Sequence, residues 1–140
     1  MWGYEKRLQY PVKITRPNAK AAQIILSQYG GPDGEMGASL RYLSQRYTMP
    51  CPQLAGLLTD IGTEELAHLE MVGAIVHQLT RDLSLEEIRR CGFEPYFVDH
   101  TVGVWAQAAS GTPFTSSAFA CKGDVLTDLH ENMAADGAII

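Results

Sequence analysis

Residues 53–80, with the sequence QLAGLLTDIGTEELAHLEMVGAIVHQLT, decide the fold of this chain. Within them, one set of positions recurs at alternating spacings of four and three residues, which places its side chains on one face of an α-helix. The set consists of Leu54, Leu58, Ile61, Glu65, His68, Val72, Ile75 and Leu79. Because most of these residues are apolar, the pattern predicts a long helix from about Gln53 to Thr80 whose striped face points into a helix bundle.

Two polar residues, Glu65 and His68, stand in the middle of this apolar stripe. An unpaired buried carboxylate is costly, so Glu65 must be protonated, paired or bound to a metal ion. The spacing Glu-x-x-His brings both side chains to one spot, and a carboxylate oxygen with an imidazole nitrogen suits manganese, iron or zinc. A simple Glu–His hydrogen bond, or a stripe less buried than its pattern suggests, is the alternative; the central position favours a metal site.

The segments around this helix predict four shorter helices and two irregular stretches, all in one domain over residues 1–140. The predicted helices run from Ala19 to Tyr29, from Asp33 as N-cap to about Tyr47, from Ser84 to about Cys91, and from Asp124 as N-cap to about Asp136. Residues 1–18 are predicted to be an extended arm, because Pro11 and Pro17 exclude a helix. Residues 92–122 are predicted to be a long crossover connection.

Three further residues are candidates for the same centre. Glu35 is either an ordinary first-turn carboxylate that faces the helix dipole or a metal ligand. Tyr42 lies seven residues later, on nearly the same face, from which it could hydrogen-bond a ligand at Glu35. Asp136 is in phase with an apolar stripe on the last helix, but Gly137 follows it, so an inward carboxylate and a frayed helix end are both open. That stripe consists of Val125, Leu129 and Met133.

Composition excludes several classes of protein. The chain is 46% hydrophobic and carries a net charge of −5, which argues against a nucleic-acid binder with a basic surface. Neither a secretion signal nor a membrane span is predicted. The widely spaced Cys51, Cys91 and Cys121 predict reduced thiols in an intracellular protein. Four glutamates, among them Glu64 and Glu70, are interpreted as solvated.

Three segments of the sequence resemble the manganese catalases. They are residues 6–10 (KRLQY), residues 34–45, which begin with Gly-Glu and end with YLSQ, and residues 59–71 (TDIGTEELAHLEM). The resemblance runs from residue 1 to about residue 135, and within the family it is nearest to the small spore-coat branch of spore-forming bacteria.

The resemblance implies a ferritin-like four-helix bundle with two manganese ions in its core, which disproportionates hydrogen peroxide to water and oxygen. By matching position, Glu35 resembles the terminal carboxylate on one metal, Glu65 the carboxylate that bridges both, and His68 the imidazole on the first. Tyr42 resembles the outer partner of Glu35. Asp136 stands where the family has a glutamate.

The sequence also departs from the family pattern. The template takes a Glu from each of two helices and a Glu-x-x-His from each of the other two, whereas this sequence supplies Glu35 and one Glu-x-x-His. The pattern is lost at residues 136–140, so we expect a truncated domain, incomplete at the C-terminus, with impaired catalysis. Two alternatives stay open: a spore-coat interaction protein that binds itself or other coat proteins without turnover, and an iron-binding ferritin-like module.

Overall fold

The computed structural model describes residues 3–96 and 104–138, and helices dominate it. The helices are α1 (Ala19–Gly30), α2 (Glu35–Gln45), α3 (Pro52–Thr80), α4 (Leu85–Arg90) and α5 (Val125–Ala138). Single 3-10 turns cover residues 46–48, 94–96 and 116–118. No strand occurs among the described residues, although Gln107 and Pro113 form an isolated bridge. The predicted all-α class is confirmed. Part of the predicted crossover, including His100, lies outside the described residues.

The long helix α3 begins and ends almost where its sequence pattern predicts. It contains 29 residues, with a proline at its first position, where the missing N–H costs no hydrogen bond. Its length is about 43 Å at the usual helical rise. None of the described helices has the combined length and apolar character that crossing a bilayer requires.

Helices α1 and α2 run antiparallel to α3, and each covers a different half of it. The backbone N–H of Asn18, before α1, donates to the Leu79 carbonyl at 2.7 Å, and Tyr29 lies against Gly73. On the other half, Tyr42 lies against Gly62, where an added Cβ would meet the Tyr42 Cβ at 3.1 Å. The turn between α1 and α2, residues 31–34, therefore lies opposite the middle of α3.

The apolar core forms two separate clusters along α3. The first cluster joins α1 and α4 to the C-terminal half of α3, and the second joins α2 and Leu129 to the N-terminal half. The buried members of the first are Ala19, Ala22, Leu26, Val72, Val76, Leu79, Ile88, Phe93 and Tyr96; those of the second are Ala38, Tyr42 and Leu58. Glu65 and His68 lie on α3 between these clusters.

Polar side chains hold α5 against α2. Arg41, which is 2% exposed, donates to the Asn132 carboxamide oxygen at 2.8 Å, and Asn132 donates to the Gln45 carboxamide oxygen at 2.6 Å. The predicted inward face of α5 is wrong at Met133, which is 68% exposed. The buried residues of α5 are Asp128, Asn132 and Ala135. Apolar periodicity misplaced this face because hydrogen bonds, rather than an apolar stripe, orient the helix.

Replacing Arg41 with alanine should destabilise the fold strongly. The change removes a buried cation, its hydrogen bond to Asn132 and its ion pair with Asp33 at 3.2 Å. Urea unfolding should show that the free energy of unfolding falls by about 3 kcal/mol. The matched control is Arg89→Ala, which breaks the ion pair between Arg89 and Glu94. Both side chains of that pair are largely exposed, at 65% and 63% respectively. That change should cost less than about 1 kcal/mol, and equal losses would contradict the prediction.

The N-terminal arm, residues 3–17, contains no helix or strand and lies against α3. The Tyr4 hydroxyl donates to a Glu70 carboxylate oxygen at 2.6 Å. Farther along, the Gln78 carboxamide accepts from the Ile14 N–H at 2.7 Å and donates to the Val12 carbonyl at 2.9 Å. The arm is therefore tied to α3 at more than one point.

Candidate metal centre

Glu35 reaches the middle of the bundle because the chain breaks between α1 and α2. It is the first residue of α2, so its carboxylate faces the positive end of the helix dipole. The break requires close packing of backbone: a Cβ at Gly34 would meet the Ser27 carbonyl oxygen at 2.6 Å. The predicted N-cap was Asp33, but the N-cap is Gly34, and Asp33 pairs with Arg41 instead.

Three side chains converge between the two apolar clusters. Glu35, Glu65 and His68 each offer one ligand atom, and these atoms lie within 4.8 Å of one another. The His68 Nδ1 is 2.9 Å from a Glu65 carboxylate oxygen and 3.5 Å from a Glu35 carboxylate oxygen. The two glutamate side chains are 11% exposed and the His68 side chain is 33% exposed. The structure thus brings together the three residues that the sequence singled out; their role as ligands stays a prediction.

The proximity of these groups shifts their proton affinities. Burial, together with a hydrogen bond to Glu65 and its charge, raises the pKa of Glu35 to about 8, although His68 opposes the shift. Burial alone would lower the pKa of His68, but the carboxylates of Glu65, Glu35 and Glu64 outweigh it and raise that pKa. Without a cation, the cluster therefore retains protons that isolated side chains would release.

The metal-free chain should lose stability as the pH rises. With a folded-state pKa of about 8, Glu35 keeps a proton that the unfolded chain releases above about 4.3, so the free energy of unfolding should fall between these values. His68 acts in the same direction, because the stabilisation it gives below about 6.5 is lost as the pH rises through its raised folded-state pKa. Thermal unfolding measured across this range should show a falling Tm, with a flatter profile for Glu35→Gln. A Tm that rises with pH would contradict this.

Tyr42 and Asp136 form a second contact beside the cluster. The Tyr42 hydroxyl donates to an Asp136 carboxylate oxygen at 2.6 Å. Burial, and then this bond, raise the pKa of Tyr42, and the nearby charge of Glu65 adds to the effect. The predicted bond from Tyr42 to Glu35 is therefore wrong, because α5 brings Asp136 to the hydroxyl. Asp136 is exposed and lies outside the three-residue cluster, so its predicted role as a ligand stays untested.

Two residues near the centre were missed from the sequence. Arg41 is buried beside Tyr42, yet nothing in the local pattern distinguishes it from a surface arginine. Glu64 is exposed, as the sequence predicted, and its Oε1 also lies 3.9 Å from the His68 Nε2, a contact that the sequence analysis missed. The spacing of four residues between Glu64 and His68, one helical turn, was the signal that could have found it.

The donor set fits a divalent metal ion. Two carboxylates and one imidazole are ligands that manganese accepts, and a cation would take the place of the proton on Glu35 and balance the charge of both carboxylates. The histidine has a carboxylate on its other side as well, a frequent arrangement around metal-binding imidazoles.

Comparison with known proteins identifies the family. Residues 1–138 match the family model described as manganese containing catalase. Protein CotJC of Bacillus subtilis is 50% identical over 136 residues, which cover 97% of this chain and 71% of CotJC. A probable manganese catalase of Clostridium acetobutylicum is 33% identical over 138 residues, covering 97% of this chain and 61% of that protein.

A solved structure agrees in fold. The crystal structure of KatB, a manganese catalase from Anabaena, superposes with a TM-score of 0.84 and 31% sequence identity. The match covers 98% of this chain and 61% of KatB, so the chain spans about three fifths of that protein. The predicted ferritin-like helical fold is confirmed. On its sequence and on its structure, this chain belongs to the manganese-containing catalase family.

Proposed function

We propose that this chain binds manganese through Glu35, Glu65 and His68 and serves the disproportionation of hydrogen peroxide. The observation that carries the proposal is the convergence of these three ligand atoms within 4.8 Å, between two apolar clusters. A manganese pair would supply the reversible two-electron chemistry that the reaction needs. Iron suits the same donors, and family membership favours manganese.

The protein side of the reaction is the handling of protons. Oxidation of one peroxide to oxygen releases two electrons and two protons, and reduction of the second peroxide to two waters consumes them. Glu65 and the hydrogen-bonded pair Tyr42–Asp136 are groups of this chain that would take up the protons released by the first half-reaction and return them in the second. We therefore assign Glu65 and Tyr42 catalytic roles in addition to the binding role of Glu65.

Metal content tests the proposal directly. The chain should be purified without added metal, exposed in separate samples to Mn²⁺ and to Fe²⁺ under anaerobic conditions, desalted, and analysed by elemental mass spectrometry, because in a mixture most sites of this kind bind manganese least tightly. Retention of manganese that is lost in a Glu35→Ala, Glu65→Ala double variant would support the proposal. Retention of iron with no manganese would favour the ferritin-like alternative, and no retained metal would overturn the proposal.

A location in the spore coat is part of the proposal. It is supported by the resemblance to the spore-coat branch of the family and by the 50% identity with CotJC. The alternative role, an interaction protein without turnover, is favoured by Leu126 and Met133, which lie seven residues apart on α5 and are 70% and 68% exposed. If that face binds a second copy, sedimentation should show dimers that Leu126→Lys abolishes.

A further inference from the structure

The two ring nitrogens of His68 face different surroundings. Nδ1 points at Glu65 and Glu35, at 2.9 Å and 3.5 Å, so this nitrogen is the one that a shared metal ion would contact. Nε2 faces the Glu64 carboxylate at 3.9 Å. A neutral imidazole that ligates through one nitrogen carries its proton on the other, and that N–H needs an acceptor.

Glu64 is the acceptor within reach, and the N-terminal arm holds it. The Gln9 side-chain amide donates to the Glu64 Oε1 at 3.4 Å, and this same oxygen faces His68. A separation of 3.9 Å suits an ion pair and is longer than a hydrogen bond. The Glu64 side chain is 56% exposed, so a small rotation toward the ring meets little resistance.

We propose that Glu64 is a positioning residue for His68: its carboxylate accepts a hydrogen bond from the Nε2–H when Nδ1 holds a metal ion. The Gln9 side-chain amide also donates to the Glu64 carboxylate, from the side of the arm. The inference rests on the proposed function, because it requires that His68 bind a metal. It adds a role for a glutamate that does not itself contact the ion.

Three variants separate this role from charge and from arm packing. Glu64→Ala removes the acceptor, whereas Glu64→Gln removes the charge and keeps an acceptor oxygen. Glu70→Ala is the matched control, because Glu70 also contacts the arm, through Tyr4, on the same helix. Each variant is titrated with Mn²⁺, and unbound Mn²⁺ is measured by electron paramagnetic resonance, after circular dichroism has confirmed the helical content.

The expected result is a graded loss of affinity. Glu64→Ala should bind Mn²⁺ about tenfold more weakly, as is usual when the outer partner of a histidine ligand is removed. Glu64→Gln should stay within about threefold of the wild-type chain, since its amide oxygen still accepts. Glu70→Ala should match the wild type.

A second measurement reports the proton itself. In the chain loaded with Zn²⁺ as a diamagnetic probe, nitrogen-15 spectra of His68 should show the proton on Nε2. Its exchange with water should be slow in the wild type and in Glu64→Gln, and fast in Glu64→Ala. A role in packing alone would not produce this difference.

Three results would overturn the inference: unchanged affinity in Glu64→Ala, equal weakening in Glu64→Ala and Glu64→Gln, or equal weakening in Glu70→Ala. Unchanged affinity would show that Glu64 has no role in binding. Equal weakening in the alanine and glutamine variants would show that only its charge matters, and equal weakening in Glu70→Ala would show that contacts with the arm explain the loss. A wild-type chain that binds no Mn²⁺ would instead remove the proposed function, and the positioning role with it.

Discussion

Replacing His68 with alanine should abolish the manganese that the chain retains after desalting. His68 supplies the nitrogen donor of the three-residue cluster, and its Nδ1 lies 2.9 Å from Glu65. Loss of an outer partner of a metal ligand already costs about 10-fold to 100-fold in affinity, so loss of the ligand itself should cost more. Elemental analysis after desalting measures the effect.

The control for this experiment is His77→Ala. His77 is an exposed histidine on the same helix, outside the cluster, so its loss should leave the retained manganese unchanged. Because removal of a half-buried polar ring also alters folding, the unfolding curve of His68→Ala should be recorded alongside. Unchanged manganese in His68→Ala would show that the cluster is not the site.

Residues 1–140 on their own should evolve little oxygen from peroxide. The resemblance implies two metal ions that share the electrons of the reaction, whereas the cluster of described residues contains a single imidazole. We expect turnover per manganese to be at least about 100-fold below that of a version with a complete site, a difference of about 2.7 kcal/mol in barrier. Oxygen-electrode traces with metal-loaded protein provide the measurement.

The version with a complete site consists of residues 1–140 with the substitution Asp136→Glu, followed by an added helix that contains Glu-x-x-His. This version should bind a second manganese and gain turnover, while a matched extension with alanine at both ligand positions should not. Robust turnover by residues 1–140 alone would show that the ligand count is wrong. Activity that then falls steeply on dilution would show that a second chain completes the site.

The parts of the fold that were predicted correctly are those with strong local patterns. The three-and-four spacing predicted α3 to within a residue, and Ser84 correctly predicted the start of α4, where it forms a capping box with Glu87. The same spacing predicted that Glu65 and His68 share a face, since that relation lies within one helical turn.

The parts that were missed depend on contacts between distant segments. The partner of Tyr42 is Asp136, 94 residues later, and no periodicity within α2 can indicate a residue of α5. The face of α5 was misplaced because Asn132, a polar residue, is the one that α2 binds. Local patterns record which residues share a face, but not which distant face they meet.

The separation of the core into two clusters has a consequence for cooperativity. Each cluster buries its own apolar surface, so the α1 half and the α2 half of the molecule are two units that can open independently. The candidate centre lies between the two clusters, and an ion held jointly by α2 and α3 would oppose the separation of α2 from α3. Amide hydrogen exchange should then slow in α2 when manganese is bound and stay almost unchanged in α1.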